Sequence, residues 1–124
     1  MKKTILVLDD ETIIGHLLEN FLSAQYEVKF IDNGQQALEW LELNIPDLII
    51  ADIEMPGMNG LELLRRLRQE PRWQQLSVVM LTAHEAGPVS QQALDMGAQA
   101  YLTKPYSPQQ LLAQVKRYAA AAVD

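Results

Sequence analysis

The chain has 124 residues, 48% hydrophobic and 21% charged, with a formal net charge of −6 and no cysteine. That length fits one domain, 1–124, able to bury a single core unaided, and the missing cysteine removes disulfides, thiol catalysis and thiolate-bound metals. The acidic balance argues against direct nucleic-acid binding, which calls for a basic surface.

Met1-Lys2-Lys3 followed by Ile5 to Leu8 begins like a signal peptide, but Asp9-Asp10-Glu11 cuts the apolar stretch short. No run approaches the roughly 18 apolar residues of a membrane span, so a cytoplasmic protein without membrane contact is expected. Ile13, Ile14, Leu17, Leu18, Phe21 and Leu22 have helical spacing and read as one apolar stripe. Val28 to Ile31 forms a second apolar run, ended by Asp32-Asn33-Gly34, a turn and helix start. Ala37, Leu38 and Leu41 mark the second helix, and Leu48 to Ala51 a third run that ends in Asp52. Leu61, Leu63, Leu64 and Leu67 give a third helix, and Val78 to Leu81 a fourth run. Ala93, Leu94 and Met96 follow as a short helix, then Ala100 to Leu102, then Leu111, Leu112, Val115, Tyr118 and Ala119 as the last helix. Strand and helix alternate five times. Continuous apolar runs, unlike alternating ones, belong to strands covered on both faces, hence to a parallel sheet with crossover helices. The fold expected is a doubly wound α/β domain.

In such sheets the functional crevice lies beyond the carboxyl ends of the strands. The polar residues standing there are Asp9 and Asp10 after the first run, Asp52 after the third, Thr82 after the fourth and Lys104 after the fifth. Three carboxylates together repel one another unless a cation compensates them. Oxygen ligands with no His or Cys suit a hard octahedral ion, Mg2+ or Mn2+. A carboxylate beside such an ion can attack phosphorus to give an aspartyl phosphate, with the lysine and hydroxyl neutralising phosphoryl oxygens.

The segments ILVLDDE, PDLIIADIEMPGMNGLELL, VVMLTA and GAQAYLTKPY resemble the receiver domain of two-component response regulators, in particular the single-domain chemotaxis-regulator type. The likeness covers essentially the whole chain. It implies a flavodoxin-like sheet of order 2-1-3-4-5 with five helices. Asp52 is then the phosphoacceptor, charged by a histidine kinase or histidine phosphotransfer protein. Asp10 and Asp52 ligate Mg2+ with the backbone carbonyl of Glu54, and Asp9 helps through bound water. Thr82 hydrogen-bonds the phosphoryl group, Lys104 pairs with it, and Tyr101 turns inward as Thr82 moves. The resemblance also implies a cis peptide between Lys104 and Pro105, and an output face on the fourth helix, fifth strand and fifth helix; Gly87-Pro88 reads as a flexible joint followed by a residue suited to a helix's first turn. The protein is then a signalling domain rather than an enzyme with a separate substrate. Its downstream target is not named by the sequence. An end shortly after the fifth helix fits either a complete regulator or the receiver of a longer protein.

Each residue alone also has a plainer reading. Asp9 or Asp10 could cap the first helix, Thr82 could be a strand-end hydroxyl, Lys104 a solvated cation and Tyr101 an ordinary strand aromatic. Trp40 reads as helix packing, Trp73 as a loop anchor and His16 as an exposed residue. A metal-dependent phosphohydrolase with an aspartyl-phosphate intermediate is the main alternative function. Against it, Asp52-Ile53-Glu54 follows the third strand rather than the first. A non-phosphorylated receiver-like module would normally have lost an acid, the threonine or the lysine. A nucleotide-binding flavodoxin-like protein would carry a Gly-rich first turn in place of Asp-Asp-Glu. Glu54 and His84, each two residues past a site residue, are placed to form a pH-dependent gate on hydrolysis of the phosphoryl group. The competing expectation is that both are simply solvated.

Overall fold

The computed structural model describes residues 2–83 and 88–121. Five strands, β1 (Thr4–Leu8), β2 (Glu27–Ile31), β3 (Leu48–Asp52), β4 (Val78–Thr82) and β5 (Ala100–Thr103), pair in parallel in the order β2-β1-β3-β4-β5. Five helices alternate with them: α1 (Thr12–Leu22), α2 (Gly34–Leu41), α3 (Gly60–Gln69), α4 (Pro88–Asp95) and α5 (Pro108–Ala121). A 3-10 turn, Pro71–Trp73, leads from α3 toward β4. This is the doubly wound, flavodoxin-like architecture.

Alternate residues of the central strands face opposite layers. Leu6, Leu8, Ile49, Ala51 and Met80 pack with Ala37 and Leu41 of α2, Leu63, Leu64 and Leu67 of α3, and Ala93 of α4. Ile5, Val7, Leu48, Ile50, Val79 and Leu81 pack with Leu18 and Leu22 of α1 and Leu111, Val115 and Ala119 of α5. Burying each of the Val, Leu, Ile and Met side chains among these is worth about 1.5–3 kcal/mol. Both faces of β3 and β4 are therefore covered, which is why these strands read as unbroken apolar runs. β2 departs from that pattern: Glu27 and Lys29 are exposed at the sheet edge.

The stripe expected on α1 divides. Leu18 and Leu22 are buried, whereas Ile13, Leu17 and Phe21 are 77%, 58% and 42% exposed. The apolar arc of α1 is wider than the surface the sheet offers it, and its outer edge is left uncovered. Trp40 is partly buried against the core, Trp73 is buried in the 3-10 turn, and His16 is exposed with Nδ1 3.0 Å from Glu19.

Local sequence fixes the helix starts. Asn33 accepts a hydrogen bond from the Gln36 amide at the head of α2, and Asn59 one from the Glu62 amide at the head of α3. Gly60 follows Asn59 because a Cβ there would stand 2.6 Å from the Asp52 carbonyl oxygen and 2.6 Å from Met80 Cε. Its absence lets α3 start directly against the end of β3. No helix among the described residues is long and apolar enough to cross a membrane.

Candidate functional site

Strand register assembles the site. Leu8 lies opposite Ala51, so the next residues, Asp9 and Asp52, leave the sheet at the same level. Asp52 lies opposite Leu81, and Thr82 opposite Thr103, which places Thr82 and Lys104 one step further along the same edge. The Lys104 amide donates to the Thr82 carbonyl at 2.8 Å, extending the ladder by one residue. Residues far apart in sequence are thus brought together by pairing that was specified by the apolar runs.

Asp52 is 1% exposed. Its Oδ1 accepts from the Glu54 backbone N–H at 3.1 Å, and its Oδ2 accepts from Lys104 Nζ at 2.6 Å. Burial pushes the Asp52 carboxyl above its ordinary value, and the hydrogen bond and charge of Lys104 offset that only in part. For Lys104 the balance is reversed: burial lowers it, but Asp52, with Asp9 and Glu11 beyond, holds its ammonium above the ordinary value. Lys104 and Asp52 therefore form an ion pair in which burial dominates one partner and the pair interaction dominates the other. The Lys104–Pro105 peptide is cis.

Asp9 is fully buried. Its Oδ1 accepts from the Glu11 backbone N–H at 2.9 Å, while its Oδ2 is buried without a hydrogen-bond partner. Burial raises its carboxyl, the Glu11 amide works against that, and the Asp52 charge raises it again. Glu11, not Asp9 or Asp10, sits at the N-cap of α1, and it makes no side-chain cap bond. Asp9, the more open Asp10 and Asp52 each offer a carboxylate oxygen, all within 4.8 Å of one another. An orphaned buried oxygen among three like charges is an arrangement that a divalent cation would relieve. The donors are all oxygens, so these residues fit Mg2+.

Thr82 is fully buried. Its Oγ1 donates to Glu54 Oε2 at 3.3 Å, and the Ala83 backbone N–H donates to Glu54 Oε1 at 2.9 Å. Glu54 as a residue is exposed, but its carboxylate is committed across the gap between β3 and β4 and is not simply solvated. The sequence does not show this contact: it offers Glu54 either a gate with His84 or plain solvation, and His84 and Gly87 lie outside the described residues. No residue-type signal announces it, since only the register shows that the residue two past Asp52 faces the end of β4.

Tyr101 lies opposite Met80, half-buried against the core layer beneath α2, α3 and α4. Tyr106, not singled out in the sequence, packs against the other layer, and burial raises its hydroxyl while the Lys104 charge lowers it. Chemically, the edge presents three carboxylates that could hold a cation, one of them paired with an ammonium, and a hydroxyl and an amide able to donate to an oxyanion.

Residues 5–116 match the response regulator receiver domain family. The phosphate regulon transcriptional regulatory protein PhoB of Rhizobium meliloti (strain 1021) is 40% identical over 94% of this chain and 52% of its own length. The chain spans about half the length of this and similar curated relatives. The chemotaxis response regulator CheY4 of Vibrio cholerae superposes with a TM-score of 0.88 at 29% identity, covering 95% of this chain and 99% of that one. The BeF3-activated DrrB receiver domain does so with a TM-score of 0.86 at 27% identity, covering 97% and 99%. On the family match over most of its length, the chain belongs to the response regulator receiver domains.

Proposed function

We propose that this receiver domain is a phosphorylation-dependent switch of a two-component relay and that Asp52 is its phosphoacceptor. The observation that carries the assignment is the setting of Asp52. It is buried, held by Lys104 on one oxygen, and within 4.8 Å of the Asp9 and Asp10 carboxylates on the side where a cation would sit.

The transfer breaks the phosphorus–nitrogen bond of a phosphohistidine, leaves the electron pair on the imidazole nitrogen, and forms a phosphorus–oxygen bond to the Asp52 carboxylate. Lys104 Nζ, already 2.6 Å from Asp52 Oδ2, follows the new charge onto the phosphoryl oxygens. The Thr82 hydroxyl and the Ala83 amide supply further donors. Asp10, Asp52 and the Glu54 carbonyl would hold Mg2+, with Asp9 acting through water. What Mg2+ supplies when bound is neutralisation of charge on the phosphoryl oxygens. The domain promotes its own phosphorylation and dephosphorylation and has no separate substrate.

The phosphoryl donor is a histidine kinase or histidine phosphotransfer protein. Ile13, Leu17 and Phe21, exposed along α1 beside the Asp9–Glu11 rim, give such a partner an apolar footing. Readout lies on the face of α4, β5 and α5, biased through Thr82 and Tyr101, and a coupling of about 1–3 kcal/mol suffices.

The test is incorporation of labelled phosphoryl from a small phosphodonor with and without Mg2+. Label should require the cation, be acid-stable only to the degree of an acyl phosphate, be released by hydroxylamine, and vanish in Asp52→Asn. Hydroxylamine-sensitive label persisting in that variant refutes the assignment.

A further inference from the structure

Glu54 contributes more to this site than its backbone. Its carboxylate accepts from the Thr82 hydroxyl at 3.3 Å and from the Ala83 amide at 2.9 Å. Its own N–H donates to Asp52 Oδ1 at 3.1 Å, so the side chain springs from the immediate neighbourhood of the nucleophile and crosses to the end of β4. A planar carboxylate with two anionic oxygens, held by a hydroxyl and an amide within reach of a lysine-bound aspartate, has the recognition chemistry of two phosphoryl oxygens.

We propose that Glu54 is an internal competitor for the phosphoryl group. Its carboxylate holds the Thr82 and Ala83 donors in the unphosphorylated protein and must release them before a phosphoryl group on Asp52 can take them. The inference rests on the reading of Asp52 as phosphoacceptor and deepens it. Glu54 is a positioning residue, acting through Thr82 and Ala83. It keeps the two donors satisfied while the site is unphosphorylated and sets a threshold for phosphoryl entry. A hydrogen bond to a charged group is worth enough to shift such a competition by about tenfold.

The experiment uses the full chain at saturating Mg2+, with beryllofluoride as the phosphoryl mimic, titrated by NMR into the parent, Glu54→Ala, Glu54→Gln and Glu11→Gln. The Glu11 variant removes an exposed negative charge near Lys104 without touching Thr82 or Ala83. Glu54→Ala should bind beryllofluoride about tenfold more tightly than the parent. Glu54→Gln should fall between them, because its amide oxygen still accepts one bond and carries no charge. Glu11→Gln should stay close to the parent. Equal affinity in the parent and Glu54→Ala overturns the proposal, as does a gain in Glu11→Gln matching that in Glu54→Gln, which would mark a general charge effect.

A second measurement needs neither metal nor mimic. Hydrogen exchange of the Ala83 amide should quicken several-fold in metal-free Glu54→Ala, and unchanged exchange removes the contact itself. If the parent and all variants fold and bind Mg2+ but none takes beryllofluoride, the Asp52 assignment fails, and the competition falls with it even where Ala83 exchange confirms the contact.

Discussion

Lys104 Nζ lies 2.6 Å from Asp52 Oδ2, and the two partners of this ion pair depend on it unequally. The Lys104 side chain is 26% exposed and that of Asp52 2%. Burial raises the Asp52 carboxyl despite the lysine, whereas the aspartate raises the Lys104 ammonium despite burial. In metal-free protein at neutral pH, Lys104→Ala should therefore destabilise by about 1.5–3 kcal/mol, the range for a hydrogen bond to a charged group. Asp52→Asn should leave stability unchanged or raise it. Urea unfolding of both variants in chelator checks the asymmetry.

Asp9 predicts the pH dependence. Its folded-state carboxyl is raised above 3.8, first by burial, so its ionised form opposes folding at neutral pH. As pH falls through the raised value the group takes up a proton in the folded state before it does so unfolded, and the penalty fades. It is gone once pH is below the ordinary value. Asp9→Asn should thus be more stable than the parent at neutral pH in chelator, by a margin that shrinks as the solution is acidified. A margin that grows toward acid would contradict the burial of Asp9 Oδ2 without a partner.

Adding Mg2+ should relieve the same repulsion. At a hundred times the dissociation constant, binding to the folded state alone adds about 2.7 kcal/mol, near 10 °C in Tm for a domain of this size. Asp10→Ala should lose most of that rise, because the two carboxylates left are the buried ones, each already accepting a backbone N–H. Calorimetric scans with Mg2+ and with chelator, on parent and variant, provide the comparison.

Gly60 positions the whole of this edge. A Cβ there meets the Asp52 carbonyl oxygen at 2.6 Å, backbone that cannot swing aside as a side chain would. Gly60→Ala should cost about 1–3 kcal/mol through overpacking and should also slow phosphorylation, since the strain falls on Asp52, the proposed phosphoacceptor. Equal stability in the variant would mean that α3 shifts freely away from β3.

The sheet and the acidic edge were legible because they depend on short-range facts. Unbroken apolar runs specify buried parallel strands, and the residue after each run must stand at the strand end, so Asp9, Asp52 and Thr82 followed from counting, with Lys104 two residues past the weaker fifth run. What failed depends on how much surface a partner element offers. Six apolar residues on α1 look alike in periodicity, yet Leu18 and Leu22 meet the sheet while Ile13, Leu17 and Phe21 do not. Long-range polar contacts were likewise hidden. Arg68 donates to the carbonyls of Trp73, Leu76 and Gly97, tying α3 to the turns before β4 and β5, and nothing around Arg68 in the sequence marks those acceptors. Glu54 belongs to the same class: its position at the strand end was readable, but its direction was not.

The most direct test of the account is to locate the phosphoryl group chemically. The protein is phosphorylated from a small phosphodonor in Mg2+ and reduced with borohydride, which converts an aspartyl phosphate to homoserine, and peptides spanning β3 are sequenced by mass spectrometry. Phosphorylation of Asp52 predicts homoserine at position 52 and none when Mg2+ is withheld. Homoserine at position 9 or 10, or a phosphoryl group that survives reduction unchanged, would contradict it.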